Sequence, residues 1–260
     1  MHYLIQTNIY TDPQHKLTID VLRDLGYSFE TIYLDAQAKD FEIESDRNDV
    51  FVYGSVKLAR LAKENKNWTP GSFYGGNHKY ENHAKYYGKN MINSPIELFK
   101  LGERISWGTD EGKFIKPYKN AKLFTGKVFS KLKWEDFSKQ LLTSNQTEII
   151  NASTLVQVSK PKKIIKEARL WIIGNEIIAS VYYKFHGDQP FESMVSQDGI
   201  EFAKEMLNLC AVAPAFVMDI GFTTEGWKII EVNCINSAGF YHLDSTPVFR
   251  ALEQYFTGGE

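Results

Sequence analysis

The sequence predicts a mixed protein, part α/β and part α+β, in which a small α/β unit precedes an α+β module and a hairpin-rich sheet. Three observations carry this reading. Strand and helix signals alternate from Tyr3 to Asn65, the texture changes at Asn93, and from Lys166 onward the chain reads as two hairpins around one helix.

In the first part, Tyr3–Ile9 reads as a strand, Pro13–Leu25 as an amphipathic helix stopped by Gly26, and Phe29–Leu34 as a second strand. Asp49–Tyr53 is a short buried strand, and Ser55–Asn65 is the helix after it. That order suggests a partly parallel sheet. Trp68 to Gly88, rich in Gly, Asn, Tyr and His, reads as a long ordered loop. Ser94-Pro95-Ile96-Glu97 places a capping serine, a first-turn proline and a glutamate three residues on, which predicts a helix start. Strands over Lys113–Lys116 and Lys127–Ser130, a helix over Trp134–Leu142 and a strand over Thr154–Val158 complete the middle module. The C-terminal part has a hairpin of Glu167–Ile173 and Glu176–Lys184 about Gly174-Asn175, a helix over Gly199–Leu209, and a hairpin of Phe216–Phe222 and Trp227–Asn233.

Composition narrows the function classes. A net charge of −2 over 260 residues argues against broad nucleic-acid binding, although a local basic cleft remains open. Two cysteines, Cys210 and Cys234, give no disulfide framework and suit a reducing compartment. The N-terminus starts directly on a strand, with no signal-peptide pattern, and no apolar run approaches a membrane span. A soluble, cytoplasmic protein is expected.

The second hairpin is the most informative stretch. A three-residue turn, Thr224-Glu225-Gly226, pairs Thr223 with Trp227 and therefore sets Asp219 opposite Glu231. Directly opposed Cβ atoms lie about 4.5–5.5 Å apart, so two carboxylates there repel unless a cation intervenes. Asn233 projects from the same face as Glu231. Three hard oxygen ligands suit Mg²⁺, which takes few protein carboxylates and completes its shell with phosphate and water. A solvated polar strand face is the competing reading. Ile229, expected on this same face, weighs against it, whereas a one-residue slip in register would separate the carboxylates.

In the first hairpin, pairing Ile173 with Glu176 puts Glu167, Arg169, Ser180, Tyr182 and Lys184 on one face and an apolar set on the other. Arg169 offers a bidentate fork and Lys184 a point charge, together a clamp for phosphate oxygens. A surface ion pair of Arg169 with Glu167 is the alternative. Upstream, Lys116 ends a strand, and Lys119, Lys122, Gly126 and Lys127 follow in a turn-rich stretch suited to closing over phosphates or to an ordinary lysine-rich loop.

The order of these pieces resembles the ATP-grasp superfamily across Asn93 to Asn236. The matching elements are Phe114-Ile115-Lys116-Pro117, a hinge-like Val156-Gln157-Val158, the arginine strand Glu167-Ala168-Arg169, then Asp219 and Glu231-Val232-Asn233. More narrowly the chain resembles the clade named for one arginine and two lysines, reported mostly from phages and bacteria; Pro70-Gly71-Ser72-Phe73-Tyr74 is similar to its N-terminal region. The resemblance implies an ATP-grasp fold over 91–260, split into a lid-bearing subdomain (91–158) and a C-terminal sheet subdomain (159–260), with a pre-ATP-grasp α/β domain over 1–90. It implies ATP with adenine near Gln157, Val158 and Ser159, and phosphates held by Lys116, Arg169 and Lys184, with Lys122 as a substitute charge. Asp219, Glu231 and Asn233 would then bind Mg²⁺. The implied chemistry is carboxylate phosphorylation followed by amine attack on the acyl phosphate.

The superfamily's earlier lysine has no clear match, and the lid equivalent has the single glycine Gly126. Arg169 and Lys184 are the residues expected to act on the transferred phosphate. Small-molecule or peptide carboxylates and amines are the expected substrates. An ATP-binding interaction protein without turnover, or a phosphoryl transferase using the same ATP site, are the other readings.

Overall fold

The computed structural model describes residues 1–9, 13–35, 43, 45–108, 112–118, 123–143, 150–186 and 194–258. Two compact units emerge from its contacts: Met1–His78 together with Ile164–Glu260, and Lys79–Lys163.

The first unit contains a three-stranded parallel sheet of β1 (His2–Gln6), β2 (Ser28–Ile32) and β3 (Val50–Tyr53), in the order β2-β1-β3. Every residue of β1 is buried, as a central parallel strand requires when both of its faces are covered. Helix α1 (Pro13–Asp24) is the crossover from β1 to β2, and α2 (Val56–Glu64) follows β3. Ser55 caps α2 by accepting from the Leu58 N–H at 3.2 Å. In the C-terminal half of the chain, β8 (Ile164–Ile173), β9 (Glu176–Phe185), β10 (Ala215–Thr223) and β11 (Gly226–Cys234) form an antiparallel sheet in the order β11-β10-β8-β9.

One face of this antiparallel sheet, with Trp171, Ile173, Ala215 and Val217, shares a core with Tyr3, Ile5, Phe51 and Tyr53 of the parallel sheet. Helix α6 (Thr246–Thr257) closes that core with Val248, Phe249 and Leu252. On β11, Trp227 meets α5 (Gln197–Leu209): its Nε1–H donates to Asp198 at 2.9 Å, and a Cβ added to Gly199 would come within 2.9 Å of the indole.

Asn236 joins the end of β11 to the parallel sheet. Its fully buried amide donates to the carbonyls of Val52 (2.8 Å) and Gly71 (3.2 Å) and accepts from the Phe73 N–H (2.9 Å). Its own carbonyl accepts from the Gly54 N–H at 2.8 Å. A single side chain thereby satisfies the Val52 carbonyl and the Phe73 N–H, and adds a second donor to the Gly71 carbonyl, which also accepts from the Val52 N–H at 3.3 Å.

The second unit is built on the antiparallel sheet β4 (Glu97–Lys100), β7 (Leu155–Ser159), β5 (Lys113–Pro117) and β6 (Lys127–Phe129), in that spatial order. Ile115, Phe129, Val156 and Val158 pack with Trp134 of α4 (Lys131–Thr143), and Phe124 and Phe137 add edge-on and tilted aromatic contacts. A further helix, α3 (Tyr80–Tyr87), lies in this unit.

Three elements differ from the sequence reading. The capping pattern at Ser94 does not start a helix; Glu97–Lys100 pairs with Leu155–Val158, and cross-strand hydrogen bonding outweighs the local cap. Tyr80–Tyr87 is helical although Lys79 provides no side-chain cap. Helix α6 is absent from the sequence reading, although proline in its first turn and left-handed Gly258 at its end are helix boundary signals. No helix among the described residues is long and apolar enough to cross a membrane.

Replacing Asn236 by alanine strands the Val52 carbonyl and the Phe73 N–H and removes one of the donors to the Gly71 carbonyl. The expected loss is about 2–4 kcal/mol of unfolding free energy in a urea titration; a change under about 0.5 kcal/mol would remove Asn236 from this role.

Candidate functional site

Three adjacent strands place Arg169, Asp219 and Glu231 in one row. Arg169 on β8 pairs with Asp219 on β10, which pairs on its other side with Glu231 on β11. The opposition of Asp219 and Glu231 matches the sequence reading, but the route to it differs. The turn is one residue tighter, Thr224-Glu225, with Thr223 opposite Gly226, and a β-bulge at Ile230 restores the register. The Thr223 hydroxyl closes the turn by donating to the Gly226 carbonyl at 2.8 Å. The bulge also reverses the phase of side chains on either side of it. Ile229 is therefore fully buried on the face of Val232 and Cys234, and not beside Glu231 as expected.

Within the row, Arg169 grips Asp219 with both prongs of its fork, Nε to Oδ1 at 2.8 Å and an Nη to Oδ2 at 2.7 Å. Its remaining Nη donates to the Gly239 carbonyl at 3.0 Å. Asp219 is 1% exposed and Arg169 7%. The Asn233 amide donates to Glu231 at 2.8 Å and to Asp219 at 3.3 Å, so two carboxylates, an amide and a guanidinium converge. Burial pushes the Asp219 carboxyl up to about 6 against the pull of Arg169, and the neighbouring Glu231 pushes the same way. A carboxylate pair so placed gains from additional positive charge.

The guanidinium also lies against two tyrosine rings. Tyr183 and Tyr241 stack with ring centroids 4.7 Å apart and 9° between planes, and Arg169 lies 4.7 Å from the Tyr241 centroid and 5.8 Å from that of Tyr183. Tyr241 adopts a left-handed backbone, φ 56°, unusual for a bulky residue. Below the row, Trp171 stacks on Phe240 at 5.5 Å and 10°, fixing the loop that carries Tyr241.

The first hairpin carries bulges at Ile178 and Tyr183, which correct its expected faces. Arg169 pairs with Val181 and Ala168 with Tyr182, so Tyr182 and Ser180 lie opposite the Arg169 face, whereas Tyr183 joins it. Past the second bulge, Glu167 pairs with Lys184, and both lie on the Arg169 side. Lys184 is half-exposed with its Nζ 3.3 Å from Glu167, which also accepts from Tyr183 (2.8 Å) and His186 (2.6 Å). Burial opposes ionisation of Glu167, yet the His186 and Tyr183 hydrogen bonds and the Lys184 charge hold its carboxyl below the usual range.

In the other compact unit, Leu98, Gln157 and Lys116 form a row across β4, β7 and β5, with Phe114 opposite Ser159 on the same face. The Lys116 ammonium lies 5.5 Å from the Tyr80 ring centroid. Gly126 approaches so closely that a Cβ there would fall 2.7 Å from Lys116 Cβ. Gln157 donates to the Pro117 carbonyl at 3.4 Å, and its buried Oε1 has no hydrogen-bond partner among the described residues. The Val158 side chain points the opposite way, into the core of that unit, leaving only its backbone to this face. Lys119 and Lys122 lie outside the described residues.

Sequence reasoning misses Tyr183, Tyr241, His186 and the Gly239 carbonyl. Tyr241 lies in the loop after β11, where the sequence reading assigns no residue a role. A regular hairpin puts Tyr183 on the wrong face, because no glycine or proline marks its bulge.

A family model described as an ATP-grasp domain, family 3 of the clade named for one arginine and two lysines, matches residues 64–252. Among solved structures, a RimK domain ATP-grasp protein from Sphaerobacter thermophilus is similar at TM-score 0.57 and 11% identity, covering 91% of this chain and 92% of that one. The D-alanine–D-alanine ligase from Bacillus anthracis, complexed with ATP, is similar at TM-score 0.57 and 12% identity, covering 97% and 90%. The ATP-grasp ligase PsnB, complexed with a minimal precursor, gives TM-score 0.57 at 11% identity, covering 96% and 97%. No curated protein matches the chain by sequence. The family match spans well over half of the chain and agrees with the fold of these neighbours, so the chain belongs to the ATP-grasp superfamily, in family 3 of the one-arginine, two-lysine clade.

Proposed function

We propose that the protein is an ATP- and Mg²⁺-dependent carboxylate–amine ligase, forming an amide or peptide-like bond through an acyl phosphate. The observation that carries this reading is the row of Arg169, Asp219 and Glu231 with Asn233 beside it, in a chain of the ATP-grasp family. Small-molecule or peptide substrates are proposed because the neighbours include a D-alanine–D-alanine ligase and a ligase complexed with a precursor peptide.

The residues fit the groups this chemistry needs. Two carboxylates and an amide make a hard-oxygen set of the size Mg²⁺ takes from protein. No group of three or more His, Cys, Asp or Glu suited to a metal occurs among the described residues, so softer, ligand-rich metal sites have no counterpart there. Asn233 presents its N–H groups to both carboxylates, and ligation requires the amide to turn its oxygen inward. For the nucleotide, the unpaired Gln157 Oε1 is an acceptor suited to an exocyclic amine such as adenine's, with Leu98 and Phe114 as apolar neighbours on its face. We assign the adenine edge to Gln157–Ser159 and phosphate contacts to Lys116, Lys122, Arg169 and Lys184.

In this mechanism Asp219, Glu231 and Asn233 would hold Mg²⁺, which when bound would supply positive charge to offset that of the transferred phosphate. Arg169 and Lys184 stabilise the phosphate oxygens as negative charge develops on them. The stacked tyrosines keep the guanidinium plane fixed, so little reorganisation accompanies the reaction.

Glu231→Gln removes a charge from an exposed side chain without changing its shape. Acceptor-dependent ADP release should fall at least about 100-fold while the melting temperature holds; wild-type rates would rule out the metal assignment. Lys184→Ala should raise KM for ATP roughly tenfold with less than about 0.5 kcal/mol change in stability. If Lys122→Ala raises KM and Lys184→Ala does not, the phosphate charge belongs to the other lysine.

A further inference from the structure

We propose that His186, oriented by Glu167, is the general base that takes the proton from the attacking amine; this rests on the ligase reading above. Glu167 precedes Arg169 by two residues on a regular stretch of β8, so the two share a face about 7 Å apart along the strand. The His186 Nε2 lies 2.6 Å from Glu167 Oε1. An ionised carboxylate only accepts, so in the neutral ring it selects the tautomer protonated on Nε2, which leaves the lone pair on Nδ1. The His186 side chain is 35% exposed, leaving the ring accessible to a substrate, while Glu167 is nearly buried. Among the described residues, the charged and titratable groups facing this pair are Lys184 and Tyr183 from β9, both bonded to Glu167, and Tyr241, which feels the Glu167 charge. They fix the carboxylate, and Glu167 in turn fixes the tautomer and orientation of the ring, which makes it a positioning residue.

His186 Nδ1 takes a proton from the ammonium form of the acceptor, which frees the nitrogen lone pair. That pair forms the C–N bond, the bond from the acyl carbon to the phosphate oxygen breaks with its pair leaving on phosphate, and the remaining surplus N–H proton passes to the departing phosphate. The imidazolium then releases that proton to water.

His186→Gln keeps a donor to Glu167 but cannot accept a proton. With Mg-ATP and a mixture of free amino acids and dipeptides as carboxylates and amines, parallel reactions with and without hydroxylamine compare a protonated acceptor with one already neutral. In H186Q the ratio of amide to hydroxamate should fall about 100-fold at pH 7 and recover as the pH rises. An unchanged ratio and pH profile would overturn the base assignment alone, whereas wild-type protein forming neither product would overturn the ligase reading with it. Nitrogen NMR of the neutral imidazole tests the tautomer without substrate: protonation on Nε2 is expected, and a neutral ring protonated on Nδ1 would refute the proposal.

Discussion

Arg169 and Asp219 are both withdrawn from water, and each is tolerable there only because of the other. Removing one partner of such a buried pair typically costs about 3–5 kcal/mol, because the remaining charge is left uncompensated. The two-pronged geometry fixes more than an energy. It sets the guanidinium plane, aligns β8 with β10, and brings Glu231 and Asn233 of β11 against the far side of the same carboxylate. The stacked tyrosines and the Gly239 carbonyl add further contacts to the cation.

That rigidity depends on how the sheet is anchored. Val217, Trp171 and Ala215 continue the site face into the core shared with the parallel sheet, and Asn236 fastens the end of β11 to β3 and to the segment at Gly71. The loop from Asn236 to Tyr241 leaves this anchor under constraint, which fits the left-handed backbone at Tyr241. Strained residues of this kind persist where surrounding structure over-determines them. The N-terminal strands therefore support the charged row directly, although they contribute no residue to it.

Much of this is legible from residue patterns. Alternating apolar positions mark both C-terminal hairpins, Gly174-Asn175 marks the first turn, and the parallel N-terminal sheet follows from element order. The opposition of Asp219 and Glu231 is expected from a three-residue turn, but a tighter turn and a bulge at Ile230 compensate to give the same pair. The bulges at Ile178, Tyr183 and Ile230 are not legible, because each sits at an ordinary β-forming residue whose irregularity arises from packing between strands. They decide which side Tyr182, Tyr183 and Ile229 take. The strand at Glu97 is hidden for a related reason, since its partner at Val158 is distant in sequence and the local cap signal points elsewhere. Asn236 carries no pattern of its own, because its importance lies in backbone groups contributed by distant segments.

One row of side chains is proposed to hold both the metal and the phosphates of ATP. A crystal structure with Mn²⁺ and a non-hydrolysable ATP analogue, located by the anomalous signal of the metal, tests it directly. The account expects Mn²⁺ about 2.0–2.3 Å from carboxylate oxygens of Asp219 and Glu231, with Arg169 within hydrogen-bonding distance of a phosphate oxygen. Metal bound away from Asp219 and Glu231, or a nucleotide whose phosphates lie beyond the reach of Arg169, would contradict it.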